Sequence, residues 1–143
     1  MRTSIEFDAK KLDRRLDKLL REMPAAVDKA LIQTSQFGTN LILDRTADGQ
    51  GYKGGSFASY SAKYALFRKI KGRQVAPVDL NFSGKMLGAM ASAKVKTGVA
   101  KIYFTRAAEA KKAAFNNQKR PFFGFNRNEQ SRVQEFFASR IKV

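Results

Sequence analysis

The chain has 143 residues and a net charge of +16, and it contains neither cysteine nor histidine. Its length fits a single domain, and a hydrophobic content of 43% favours folding over disorder. Without cysteine and histidine there is no disulfide, thiol nucleophile or imidazole base, and the commonest transition-metal ligands are missing. We therefore expect a protein that is not an enzyme and that has no catalytic residue, metal site or cofactor.

The positive charge is concentrated in the last two thirds of the chain. Residues 1–47 hold 9 Lys/Arg against 7 Asp/Glu, whereas residues 48–143 hold 19 against 5. Because such a field attracts polyanions, we expect a nucleic acid or an acidic protein as partner. No apolar run approaches the ~20 residues of a membrane span, and no secretory signal is recognisable, so we expect a soluble protein that does not contact membranes.

The N-terminal part, residues 1–47, predicts a strand and two helices. MRTSIEF alternates as a short strand does, and Asp8 is a suitable N-cap for a first helix. Pro24 ends that helix and fits the first turn of a long second helix that reaches about Thr46. The stripe at helical spacing on this second helix consists of Val27, Leu31, Thr34, Phe37, Leu41, Ile42 and Arg45.

The middle part, residues 48–75, predicts a long glycine-rich loop and a short basic helix. The loop ADGQGYKGGSFASYS lacks the spacing of a phosphate-binding loop, so we expect a mobile segment that becomes ordered on assembly. The helix YSAKYALFRKIKG places Tyr60, Tyr64 and Phe67 on one face and can end at Gly72. This face fits either core packing or base stacking, and the basic residues fit either phosphate contacts or a solvated surface.

The last part, residues 76–143, predicts a hairpin between helical segments. Ser83 can cap a short helix through Met90, and the strands ASAKVK and VAKIYFT meet at Thr97-Gly98. The alanine-rich stretch RAAEAKKAAFNN has helical propensity. A C-terminal helix follows a cap at Asn126 or Asn128, and its apolar stripe is Val133, Phe136, Phe137 and Ile141.

These elements together predict one α+β domain over residues 1–143. In this fold a long N-terminal helix pair and a C-terminal helix pack against a small antiparallel sheet, and the chain includes a long glycine-rich loop.

Four motifs occur in a recognisable order between residues 48 and 125. They are DGQGYKGGSFASYSAKY, LNFSGKMLGAM, VAKIYFT leading into AAEAKKAAFNN, and RPFFGF. In this order they resemble the virion morphogenesis and tail-completion proteins of tailed bacteriophages, the group that includes the Mu G-like proteins. The resemblance implies a structural protein of the virion, assembled in the host cytoplasm, that forms a homo-oligomeric ring at the neck or tail end and completes or joins head and tail. Its implied partners are a connector or adaptor, the tail tube or a tail terminator, and genomic DNA passing through a channel.

The stretch RPFFGF is the expected subunit interface of such a ring. Proline holds the preceding residue extended, and strand-like alternation would distribute the three phenylalanines over two faces, so one small core would not accommodate all three. A head-to-tail contact would cover the exposed rings. The alternative is that all three aromatics are intramolecular core. The expected interface residues are Arg120, Pro121, Phe122, Phe123 and Phe125.

The basic residues define a second expected contact, with a DNA channel or with an acidic protein partner. The candidates are Lys63, Arg68, Lys69, Lys71 and Arg73, followed on the hairpin by Lys94, Lys96 and Lys101. The charge alone also suits a different class of protein, a sequence-nonspecific nucleic-acid-binding protein that acts as a monomer or dimer.

Overall fold

The computed structural model describes residues 4–12 and 16–141, and within them it confirms the predicted α+β class. Its helices and strands are, in chain order, β1 (Ser4–Asp8), α1 (Ala9–Leu12), α2 (Asp17–Glu22), α3 (Pro24–Ala47), α4 (Ala62–Ile70), a 3₁₀ turn (Leu87–Ala89), β2 (Met90–Lys96), β3 (Val99–Phe104), α5 (Ala107–Lys119) and α6 (Arg127–Arg140). The predicted first strand and first helix extend partly beyond the described residues. Within the described residues, β1 lies where the strand was predicted, and α1 and α2 lie where the first helix was predicted.

The sheet has three antiparallel strands in the order β1-β3-β2. The central strand β3 buries Val99, Ala100, Ile102 and Phe104, because a strand with neighbours on both sides and helices against its face has little contact with solvent. The predicted hairpin is confirmed, and Gly98 turns it with a positive φ of 80°. The short helix expected after Ser83 is smaller than predicted, since only the 3₁₀ turn forms there.

Helix α3 is the largest element and packs against both the sheet and α6. It begins with Pro24 at its first turn, as predicted. Its buried face follows the predicted stripe, and Phe37 stacks on Phe136 of α6 with ring centroids 4.4 Å apart. At Gly38 a Cβ would lie 2.8 Å from the ring of Phe125. The glycine therefore allows an aromatic ring to reach the helix backbone.

A polar contact fixes α3 to the β2–β3 turn. The carboxylate of Asp28 accepts the N–H of Gly98 at 2.9 Å and lies 2.8 Å from the ammonium of Lys94. Burial alone would raise the pKa of Asp28, but the Gly98 N–H and Lys94 together hold it below its ordinary value. Because the folded pKa is depressed, the contribution of Asp28 to stability is present above the unfolded pKa and is lost as pH falls through the folded pKa.

We predict that Asp28→Asn lowers the free energy of unfolding at pH 7 by about 1 kcal/mol, since the half-exposed Lys94 loses its partner while the amide oxygen can still accept from Gly98. The difference from wild type should shrink as pH falls through the depressed folded pKa of Asp28 and vanish below it, because the carboxyl is then protonated in both states. Urea denaturation across this pH range measures it. Asp44→Asn is the matched control, because Asp44 is exposed on the same helix. A difference that persists unchanged at low pH would contradict the role assigned to Asp28.

Candidate functional site

The side chain of Arg120, expected at a subunit interface, is directed into its own subunit. Its Nε donates to the carbonyl of Ala58 at 2.7 Å and its Nη2 to the carbonyl of Ser59 at 3.0 Å. Its guanidinium also lies 5.0 Å from the ring centroid of Tyr60. Arg120 thus fixes the chain just before α4 and is buried in doing so.

Phe122 and Phe123 are both core residues, with exposed fractions of 0% and 3%. The alternation argument fails here because the segment is not a strand. The side-chain oxygen of Asn117 accepts the N–H groups of both phenylalanines at 3.0 Å, which turns the chain at the end of α5. Both rings then face inward, and Phe123 packs 5.1 Å from Phe104.

The other two residues of the expected interface also make internal contacts. Phe125 is half-buried and meets Phe7 edge-on at 6.0 Å, and the carbonyl of Pro121 accepts the N–H of Tyr52. The rings of Phe122 and Phe123 are therefore intramolecular core, the alternative considered from the sequence, and are not exposed to a neighbouring subunit. Pro121 and Phe125 are half-buried, and their part in a subunit interface stays a prediction.

The glycine-rich loop is docked on this same segment within one chain. Besides the Tyr52–Pro121 hydrogen bond of 3.0 Å, Phe57 is buried and an antiparallel bridge joins Gln50 to Ser56. A Cβ at Gly124 would lie 2.7 Å from the ring of Tyr52. The loop thus packs against its own chain within the single subunit, and the expectation that it becomes ordered only on assembly stays a prediction.

Arg45, at the end of α3, joins three parts of the structure. Its guanidinium forms a salt bridge with Glu129 of α6 and donates hydrogen bonds to the carbonyls of Phe122 and Gly124. Burial lowers the pKa of Arg45, and the charge of Glu129 counteracts this. Sequence reasoning placed Arg45 on the apolar stripe without giving it a role. A charge on a core-facing stripe was the available signal.

Arg68, a candidate for contact with DNA or an acidic partner, is 1% exposed. Its guanidinium donates to the carbonyls of Gln74 and Asn81 and pairs with Asp79 at 3.3 Å. It lies 4.7 Å from the ring centroid of Tyr60. Arg68 therefore organises the chain after α4 and is not available to a partner, which corrects its assignment.

The other basic candidates divide into two groups. Lys63, Lys69, Lys71 and Arg73 are exposed on and after α4, where no acidic partner is found for them among the described residues. On the hairpin, Lys94 is already paired with Asp28, Lys101 lies over the ring of Tyr103, and Lys96 is exposed. Arg68 is thus the buried member of the eight basic candidates, whereas the other seven keep exposed or half-exposed side chains.

Exposed apolar side chains lie beside the basic residues of α4. Leu66, Phe67 and Ile70 are 60%, 46% and 73% exposed, and their spacing of three and four residues makes them neighbours on one helical surface. Phe115 of α5 is 73% exposed. Sequence reasoning assigned Phe67 to a shared aromatic face and gave no role to Leu66, Ile70 and Phe115.

Phe67 and Phe115 both line a groove of about 440 Å³, which we call the α4–α5 groove. Tyr64 and Phe82 form part of its wall, and the rings of Phe67 and Phe82 stack at 5.8 Å. Glu109 also lines it. The Glu109 side chain is 6% exposed, and its Oε1 lies 3.5 Å from the ammonium of Lys112. Its Oε2 has no hydrogen-bond partner among the described residues.

The surroundings of the α4–α5 groove are poor in acids. Between Gly49 and Asn128 the sequence contains only Asp79 and Glu109 as acidic residues. Asp79 is paired with Arg68, and Glu109 lies within reach of Lys112. The positive charge of this surface is therefore not neutralised by the same part of the chain.

Comparisons with known proteins found no matching family model, no matching curated protein and no matching solved structure. In residues 4–12 and 16–141, acidic residues are not grouped as a metal site would require. Over the same residues, none of the helices combines the length and apolar character needed to cross a membrane.

We predict that Phe122→Ala lowers the free energy of unfolding by about 3 to 5 kcal/mol, because it leaves a cavity in a packed core. Phe115→Ala, at an exposed ring of the same size, should change it by less than about 0.5 kcal/mol. Urea denaturation of both variants provides the comparison. Equal stabilities would show that Phe122 does not occupy the core in solution.

We also predict that Gly124→Ala displaces the ring of Tyr52 and loosens the docked loop, so that trypsin cleaves after Lys53 about tenfold faster. Gly88→Ala is the control, because a Cβ there meets nothing within 4 Å. Timed proteolysis with mass spectrometry measures cleavage at this bond. An unchanged rate in Gly124→Ala would argue against docking of the loop through Tyr52.

Proposed function

We propose that this chain is a non-enzymatic structural protein of a tailed-bacteriophage particle, which oligomerises as a ring at the neck or tail end to complete or join head and tail. Its partners are further copies of itself and other virion proteins, and its location is the virion after assembly in the host cytoplasm. The ring and its position in the particle rest on the order of the four sequence motifs between residues 48 and 125.

The observation that carries the proposal is the exposed apolar surface of α4 and α5. Leu66, Phe67, Ile70 and Phe115 remain accessible although the chain buries most of its other large apolar side chains. Fully burying such a side chain is worth roughly 1.5 to 3 kcal/mol. An exposed apolar cluster rimmed by charged residues is typical of a surface that contacts another protein. A structural component of a particle works through such contacts.

A sequence-nonspecific nucleic-acid-binding protein is the second candidate. It is favoured by Lys63, Lys69, Lys71 and Arg73, four exposed positive charges within a short stretch of chain. Phosphate contacts from such residues would give salt-dependent binding without reading sequence.

We predict that the purified chain forms an oligomer in the absence of DNA. Size-exclusion chromatography with light scattering measures its mass with and without duplex DNA at two salt concentrations. A discrete oligomer that does not change on addition of DNA would support the structural role. A monomer or dimer that shifts only with DNA, and does so less at high salt, would favour the nucleic-acid-binding alternative.

A further inference from the structure

We propose that the α4–α5 groove binds an acidic segment of a different protein, with apolar side chains of that segment inserted between Phe67 and Phe115. This names a partner class for the surface described above. This proposal rests on the proposed function in one respect only, namely that the partner is a component of the particle.

The apolar part of the groove sets the first requirement on the occupant. Phe67 and Phe115 line it from α4 and α5. Leu66 and Ile70 are not part of the groove lining but are exposed next to Phe67 on α4. Leu66 and Ile70 are aliphatic and offer no ring on which a base can stack. Covering them with phosphate groups would bury apolar surface against charge, whereas leucine or phenylalanine side chains would remove it from water. The apolar surface therefore favours a protein segment over nucleic acid.

The charge around the groove sets the second requirement. Lys63, Lys69 and Lys71 flank the apolar side chains of α4, and Lys112 lies at the groove itself. The only two acids between Gly49 and Asn128 face Arg68 and Lys112. A second copy that met this surface through its own α4–α5 groove would bring the same lysines, so such a symmetric contact of copies is opposed by like charge. An acidic segment of another protein is complementary to it.

The wall of the groove is held in place before any partner binds. Arg68 fixes the chain from Gln74 to Asn81 through hydrogen bonds and its pair with Asp79, and Phe82 follows directly in the wall. A preformed site loses less conformational entropy on binding than a mobile one. Arg68 is therefore a positioning residue, which explains why so buried a charge occurs within the basic helix.

The buried carboxylate of Glu109 adds a polar feature to the groove. Its Oε2 has no donor among the described residues. Because this oxygen is enclosed by the protein, a segment in the groove would meet Phe67, Phe115 and Lys112 and not the carboxylate itself.

The test measures binding of a fluorescent synthetic peptide of about 15 residues, in which leucine and phenylalanine recur at helical spacing and glutamate fills most other positions. A peptide of the same composition with scattered apolar residues is the reference. Fluorescence anisotropy with the full chain should give weaker binding of the scattered peptide. Phe115→Ser should weaken binding of the patterned peptide about tenfold, as expected for loss of an aromatic anchor.

Two matched variants control for general effects. Val95→Ser removes an exposed apolar side chain from β2, outside the groove, and should leave peptide affinity unchanged. Lys69→Glu should weaken binding several-fold more than Lys29→Glu, which makes the same charge change on exposed α3 surface. Because all these positions are exposed, circular dichroism should show that each variant folds.

Several results would overturn the proposal. Three concern the peptides: the patterned peptide fails to bind, both peptides bind equally, or Phe115→Ser leaves the affinity for the patterned peptide unaltered. A fourth is loss of self-association in Phe115→Ser, which would make the groove a contact between copies. DNA binding that depends on Phe115 while the peptide does not bind would assign the groove to nucleic acid. A chain that binds the peptide but stays monomeric would support the groove while contradicting the proposed ring, so the two proposals can fail separately.

Discussion

The buried guanidinium of Arg45 is the contact on which the arrangement of the last third of the chain depends. Moving a charge out of water is costly, and here the cost is offset by the carboxylate of Glu129 and by the carbonyls of Phe122 and Gly124. Glu129 serves twice, because it also forms the capping box with Asn126 that begins α6. One side chain of α3 thereby fixes both the aromatic segment and the start of the C-terminal helix.

Arg68 and Arg120 repeat this use of arginine elsewhere in the structure. Each satisfies backbone carbonyls of irregular chain, Gln74 and Asn81 for Arg68 and Ala58 and Ser59 for Arg120. Both guanidiniums lie near the ring of Tyr60. Arginine suits this role because its fixed fork of donors can bind several carbonyls at once while its plane lies against an aromatic ring. Irregular segments without a hydrogen-bonded ladder are thus held by side chains.

Regular elements could be predicted from the sequence because their signals are local. The hairpin around Gly98, the extent of α3 and the Asn126 cap follow from alternation, helical spacing and a capping residue. The positions of Phe122 and Arg68 could not be predicted in this way, since they depend on partners distant in sequence or on chain without a repeat. The prediction for Phe122 and Phe123 relied on side chains that alternate between two faces, as in a strand. The chain turns where Asn117 accepts the N–H groups of both residues, so this alternation does not occur. Composition likewise counts Arg68 as surface charge and cannot indicate that Asp79 will neutralise it.

Internal use of arginine changes what the high net charge means for the surface. Because the side chains of Arg45, Arg68 and Arg120 are used in internal contacts, the accessible positive charge near the groove comes mainly from lysines. Lysine is a strongly hydrated point charge on a flexible stem, whereas arginine is better suited to bidentate phosphate contacts. A surface whose exposed cations are mostly lysines, with Arg73 as the exception, and which carries aliphatic side chains between them is better matched to an acidic protein than to a phosphate backbone. The distribution of the two cations, more than their number, thus favours a protein partner for this face.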